Sequence, residues 1–150
     1  MADLSTFARV VKVDTGLSII STSRADGTIQ TSLVNAGVVT HPVTGGDVVA
    51  FVAIGGSRKL THLRERPTIT VTVRGGWEWA AAEGRAELIG PDDPRDGVDA
   101  ERLRVLLREI FTAAGGTHDD WPTYDKVMAE ERRTAVLVAP TRAYPNSGRR

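Results

Sequence analysis

Thr68-Ile69-Thr70-Val71-Thr72-Val73 alternates polar and apolar β-branched residues without a break. Successive side chains of a strand point to opposite faces, so this run reads as a strand with one buried face. Five further runs read as strands: Leu17 to Ser23, Thr28 to Val39, Asp47 to Ile54, Trp77 to Ile89 and Thr134 to Val138. Ser23-Arg24-Ala25-Asp26-Gly27 closes the first two into a hairpin, because glycine reaches the positive φ that such turns need. Pro42-Val43-Thr44-Gly45-Gly46 makes a second hairpin of the next pair, and Gly75-Gly76 breaks the chain before Trp77. Within the run from Trp77, Gly84 reads first as strand curvature, with a bulge or a close backbone approach as alternatives.

The helices are few. Leu60 and Leu63 stand one turn apart among the polar residues of Ser57 to Arg66, and Pro67 stops that pattern. After the loop Gly90 to Gly97, Asp99 can cap a helix carrying Leu103, Leu106, Leu107, Ile110 and Phe111, which Ala113-Ala114-Gly115-Gly116 ends. Another helix runs from near Pro122 or Thr123 to about Arg132, with Asp119 and Asp120 beside its positive end. Six strands, one short helix between strands and a helical pair before the last strand predict a mainly-β barrel or sandwich rather than a βαβ array. No repeat or boundary divides residues 1–150, and a chain of 150 residues buries roughly 68–70% of its unfolded surface without staples.

Composition removes several kinds of chemistry. The absence of cysteine excludes disulfides, thiolate metal ligands and cysteine nucleophiles. His41, His62 and His118 show no metal-ligand spacing, so no metal site is expected. With 19 basic and 19 acidic residues the net charge is zero, which offers no general field for nucleic acid or an anionic membrane. The start Met1-Ala2-Asp3-Leu4 has no export pattern and no stretch of 18 apolar residues occurs, so a soluble, cytoplasmic protein is expected. The sequence contains no Gly-x-Ser-x-Gly elbow, phosphate-binding Gly-Lys-Ser/Thr loop or Gly-x-Gly-x-x-Gly turn, and it names no catalytic acid or base.

What remains is a basic turn. Gly55-Gly56-Ser57 leads from a strand into Arg58, Lys59, Arg64 and Arg66, opposed only by Glu65. Freed backbone N–H groups, a hydroxyl and two cations suit a phosphate, though by itself such a cluster also reads as a solvated helix face. The order strand, Gly-Gly-Ser-Arg-Lys, Leu-x-x-Leu-Arg, Arg-Pro, alternating strand resembles the phosphate-binding segment of the flavin/deazaflavin split-barrel oxidoreductases, the superfamily that includes pyridoxamine-phosphate oxidase. His62 and Arg66 stand where that family often has asparagine. Asp26-Gly27-Thr28-Ile29-Gln30-Thr31-Ser32-Leu33-Val34 resembles the family's second strand, with its prolines replaced. The run Asp119 to Tyr144 resembles the tail of the actinobacterial branch that uses coenzyme F420.

The resemblance implies a homodimer of split barrels with the cofactor in a groove at the dimer interface and a small-molecule substrate above its ring. It assigns phosphate binding to Arg58 and Lys59, the cradle's hydroxyl to Ser57, the strand beneath the ring to Thr31, Ser32 and Val34, and the cofactor's linker to Ile54 and Gly55. The implied activity is hydride transfer from reduced F420 to an enone, quinone, tetrapyrrole or nitro compound. FMN with oxidase or flavin-reductase chemistry is the alternative, and a non-catalytic cofactor-binding protein is another.

Trp77 and Trp79, two apart on a strand, share a face; they fill a barrel end or subunit contact, or they line the groove. Trp121 reads as a packing anchor, and Tyr144 as a surface aromatic or a residue reaching a partner's site. The tail Asn146-Ser147-Gly148-Arg149-Arg150 reads as disordered, or as arginines that meet an anionic polyglutamate chain.

Overall fold

The structure is a computed structural model that describes residues 2–146; Ser147 to Arg150, and with them most of the C-terminal tail, lie outside the described residues. The order of elements is α1 (Ser5–Val11), β1 (Leu17–Ser23), β2 (Ile29–Thr40), β3 (Asp47–Ala53), α2 (Arg58–Glu65), β4 (Thr68–Gly75), β5 (Glu78–Ile89), α3 (Ala100–Ala113), α4 (Trp121–Glu130) and β6 (Thr134–Pro145). The strands close into one antiparallel barrel in the order β1-β2-β3-β6-β5-β4. Closure is complete over only part of two long strands: residues 29–35 of β2 pair with β1 alone, and residues 139–145 of β6 pair with β5 alone.

The barrel has a core inside and another on its flank. Ile20, Val49, Phe51, Ile69, Val71 and Val136 point inward, while α1 and α2 bring Phe7, Val10, Leu60 and Leu63 to the same cluster. On the outside, α3 lays Leu106, Leu107 and Ile110 over Val48, Ala50, Ala135 and Leu137. This explains two kinds of strand sequence. β4 alternates because its outer face is open, whereas β3 and the first half of β6 are buried on both faces and read as continuous apolar runs.

Four local differences from the sequence reading have physical causes. The helix α1 was not anticipated, although Leu4, Phe7, Val10 and Val11 follow helical spacing and are all buried. The last strand does not stop before Pro140 but continues to Pro145. A register shift opposite Glu83 and Gly84 leaves Thr141 unpaired, and this irregularity accommodates the proline. Gly84 therefore marks both a bulge and a close approach, since a Cβ there would lie 2.3 Å from the Ala139 carbonyl oxygen. Trp77 sits in the β4–β5 turn rather than on the strand and is 83% exposed, so it shares no strand face with Trp79. Trp79 instead packs edge-on against Tyr144, whose hydroxyl donates to Glu83 at 2.5 Å within the same barrel.

The two later helices are clamped by charge. Asp125 on α4 accepts from Arg108 Nε at 2.9 Å and Arg104 Nη1 at 3.1 Å, both from α3. The Arg108 guanidinium beside Asp125 holds its carboxyl below the usual carboxylate range. A depressed carboxyl contributes stability above its unfolded pKa, roughly 3.9, and that contribution is lost as pH falls through the folded value. Asp125→Asn is therefore expected to cost about 1 kcal/mol near neutrality, discounted for partial exposure, and to flatten the acid side of the stability profile. Urea midpoints followed from near neutrality down to about pH 3 measure this; an acid limb as steep as in the parent chain would show that other carboxylates carry it.

Candidate functional site

Two turns from distant parts of the chain meet at one place on the barrel. The first, Ile54-Gly55-Gly56-Ser57, carries β3 into α2; its Ser57 N–H donates to the Ile54 carbonyl at 3.2 Å, and Gly56 takes φ +83°. The second, Glu131-Arg132-Arg133, carries α4 into β6 with Arg132 at φ +49°. The Gly55 N–H donates to the Glu131 carbonyl at 3.0 Å. A Cβ on Gly55 would lie 2.7 Å from both Cβ and the carbonyl oxygen of Arg132, so only glycine allows the turns to touch.

Beside this joint opens a cleft of about 450 Å³. Val34 of β2 and Ala53 of β3 form its apolar base, and Ile110, Phe111 and Ala114 of α3 form one wall. Tyr124 and Met128 of α4 close another side, and Ser57, Lys59 and Arg133 supply the polar rim. Among the described residues that line it, Lys59 and Arg133 carry the formal charges and none carries a carboxylate. A concave, largely apolar surface with a few convergent polar groups suits a small organic ligand, and this balance of charge suits an anionic one.

Ser57 is distinctive. It occupies the N-cap of α2, yet its side chain makes no capping hydrogen bond. Its Oγ is buried without a partner among the described residues. A buried hydroxyl left unpaired costs free energy, and Ser57 stands on the wall of the cleft.

Tyr124 is committed elsewhere. Its hydroxyl donates to the Leu107 carbonyl at 3.0 Å, and burial pushes the phenol up to about 12, so its proton is held near neutrality. Its ring is packed by Phe111 at 5.1 Å, Trp121 at 5.2 Å and His118 at 5.5 Å between centroids. Trp121 is thus part of a packing cluster, with the Arg108 guanidinium 5.0 Å from its ring. This wall is closely packed and aromatic.

The structure gathers only part of the set read from the sequence. Val34, Ile54, Ser57 and Lys59 line the cleft. Thr31 is exposed on β2 opposite Ser21, Ser32 is half-buried on the same strand, and Arg58 projects into solvent from the start of α2. Gly55 serves the joint between the turns. The basic cluster divides as well, since Arg64 grips Asp93 through two hydrogen bonds of 2.9 and 2.7 Å. Arg66 is tied to the Ser23 carbonyl and to Glu65. Arg58 and Lys59 form no ion pair among the described residues. The sequence reading missed Asn35, Phe111, Met128 and Arg133, which reach the cleft only through tertiary contacts.

No family model matches the sequence. Among solved structures, a conserved hypothetical protein from Mycobacterium tuberculosis superposes with a TM-score of 0.68 at 16% identity, over 97% of this chain and 84% of that one. A pyridoxamine 5'-phosphate oxidase-related, FMN binding protein from Nostoc punctiforme gives 0.66 at 13% identity, over 97% and 84%. A protein described as an F420 reductase gives 0.59 at 16% identity, over 87% and 90%. The chain has the split-barrel fold of these structures. At such identities the likeness is one of backbone, and the split barrel is what it establishes. Among the described residues no helix is long and apolar enough to cross a membrane.

Proposed function

We propose that this split barrel is an oxidoreductase that holds a phosphate-bearing deazaflavin, F420, in the cleft beside α2 and reduces an electron-poor unsaturated small molecule. The observation that carries this reading is the cleft itself, which combines an apolar base, an aromatic wall, two cations, no carboxylate and the unpartnered Ser57 hydroxyl. These residues fit the group, since its ring system needs apolar walls and its phosphate needs donors. When bound, such a cofactor supplies the hydride-transfer chemistry.

This chain's own residues do the rest. Lys59 provides a point charge and Ser57 a hydrogen bond to the phosphate, with Arg58 adding charge from the solvent side. Val34 and Ile54 offer apolar contact along the linker and ring, with Thr31 and Ser32 on the same strand as Val34. Phe111 and Met128 exclude water. Tyr124 stays protonated and hydrogen-bonded to Leu107, so it shapes the wall rather than giving up a proton.

A second copy of the chain belongs on the outer face of β1 and β2. Ile19 pairs directly with Leu33 there, and they are 47% and 62% exposed. Leu33 also lines the cleft, so a partner on this face would add a wall to the site. Large apolar residues left open side by side on a sheet support this reading.

FMN is the second reading, supported by the FMN binding neighbour, whose TM-score of 0.66 exceeds the 0.59 of the F420 reductase. Fluorescence titration with each cofactor at moderate ionic strength decides between them. Micromolar or tighter binding of F420 is expected, and Arg58→Ala with Lys59→Ala is expected to weaken it about 10–100-fold, the loss of charge-assisted contacts worth about 1.5–3 kcal/mol. Tight FMN binding alone would transfer the assignment to that cofactor, and binding of neither would sink it.

A further inference from the structure

We propose that Arg133 is a further cation of the phosphate site, gripping the same anion as Lys59 and Ser57 from the neighbouring turn between α4 and β6. The inference rests on the cofactor reading above and adds a residue that the β3–α2 turn does not contain.

The backbone fixes where Arg133 stands. Thr134 pairs with Ala53, the last rung of the β3–β6 ladder, so Arg133 lies one step beyond it, level with the start of the turn that leads to Ser57. The Arg133 N–H donates to the Met128 carbonyl at 2.9 Å, and the Gly55 N–H bonds the Glu131 carbonyl two residues earlier. The two cation-bearing segments are thus tied together before any ligand arrives.

The guanidinium is largely unspent. Its Nε donates to Glu131 Oε1 at 2.8 Å, and among the described residues neither terminal nitrogen makes a hydrogen bond. Arginine presents five N–H donors, so the forked end is left for an acceptor such as a phosphate. The other nearby carboxylate does not claim it. Asp125 shares with Arg133 the lining of a second, apolar cavity of about 270 Å³ between α3 and α4, but is already held by Arg104 and Arg108. Glu131 is the group that competes with a bound anion, and its own side chain is well exposed.

The arrangement has a signature that a surface ion pair lacks. Removing Arg133 weakens anion binding, while removing Glu131 strengthens it because the guanidinium is released. The probe is inorganic phosphate, with the rise in melting temperature measured against chloride at equal ionic strength for the full chain, Arg133→Gln and Glu131→Gln. Phosphate at about five times its Kd is expected to raise the parent chain's melting temperature on the order of 2–4 °C. Arg133→Gln should keep the parent's melting temperature in chloride and lose the phosphate-dependent rise, and Glu131→Gln should enlarge it. A parallel comparison of FMN with riboflavin, which lacks the phosphate, should show Arg133→Gln weakening the first and sparing the second. An undiminished rise in Arg133→Gln, or no rise in the parent, overturns the proposal. An Arg133-dependent rise in a chain that binds neither F420 nor FMN would retain the anion grip and discard the cofactor reading.

Discussion

Gly37→Val is expected to lower stability by about 1–3 kcal/mol, the range for forcing extra atoms into a packed contact, and to distort the cleft at the same time. Gly37 lies on β2 where α3 ends, and a Cβ there would come within 2.6 Å of the Ala113 carbonyl carbon and 2.7 Å of its oxygen. Backbone stands on both sides, so no side chain can swing aside. Gly16 faces the same helix end, with a Cβ position 2.5 Å from the Ala114 carbonyl oxygen, and blocks a slide in that direction. The end of α3 must therefore lift, and it carries Ile110, Phe111 and Ala114, which form a wall of the cleft. Urea unfolding and cofactor titration of the same variant measure the two effects. Unchanged stability would mean that α3 is free to move over β2, and unchanged affinity that its wall does not touch the ligand.

That contact shows where sequence reasoning reaches its limit. The alternation of Thr68 to Val73 survives into the structure because β4 keeps an open face, and the pattern there records a local fact about burial. Gly37 sits in an apolar stretch of β2 with nothing nearby to announce that a helix 76 residues later will press on it. The seven-residue α1 carried the right spacing at Leu4, Phe7, Val10 and Val11, but Leu4 makes no side-chain cap to mark its start. Site residues divide in the same way. Ser57 and Lys59 were legible because turn, hydroxyl and cation are consecutive in the chain. Arg64 and Arg66 belong to the same cluster, yet their partners Asp93 and the Ser23 carbonyl are brought to them by the fold. Arg133 reaches the cleft by the reverse route, through a β3–β6 pairing that no spacing encodes.

Gly55→Ala tests that pairing at the point where the cleft is assembled. The new methyl would meet Cβ and the carbonyl oxygen of Arg132 at 2.7 Å and part the turns, straining or breaking the 3.0 Å hydrogen bond from the Gly55 N–H to Glu131. Overpacking and the lost bond together are expected to cost about 1–3 kcal/mol of stability. Affinity should suffer more than a general loosening explains, because Ser57 and Lys59 are fixed to one turn and Arg133 to the other. A phosphate held by both loses one of its cations when they separate, with an expected loss of about tenfold, or 1.4 kcal/mol. Gly56→Ala is the matched comparison. Its Cβ would enter open space, but its φ of +83° strains any other residue, so it destabilises the same turn without parting it from Arg132. The two variants, compared at a temperature where both are folded, should differ in cofactor and phosphate affinity far more than in urea midpoint. Equal affinities would mean that the anion is held by the β3–α2 turn alone and that the contact at Gly55 serves only to close the barrel's flank.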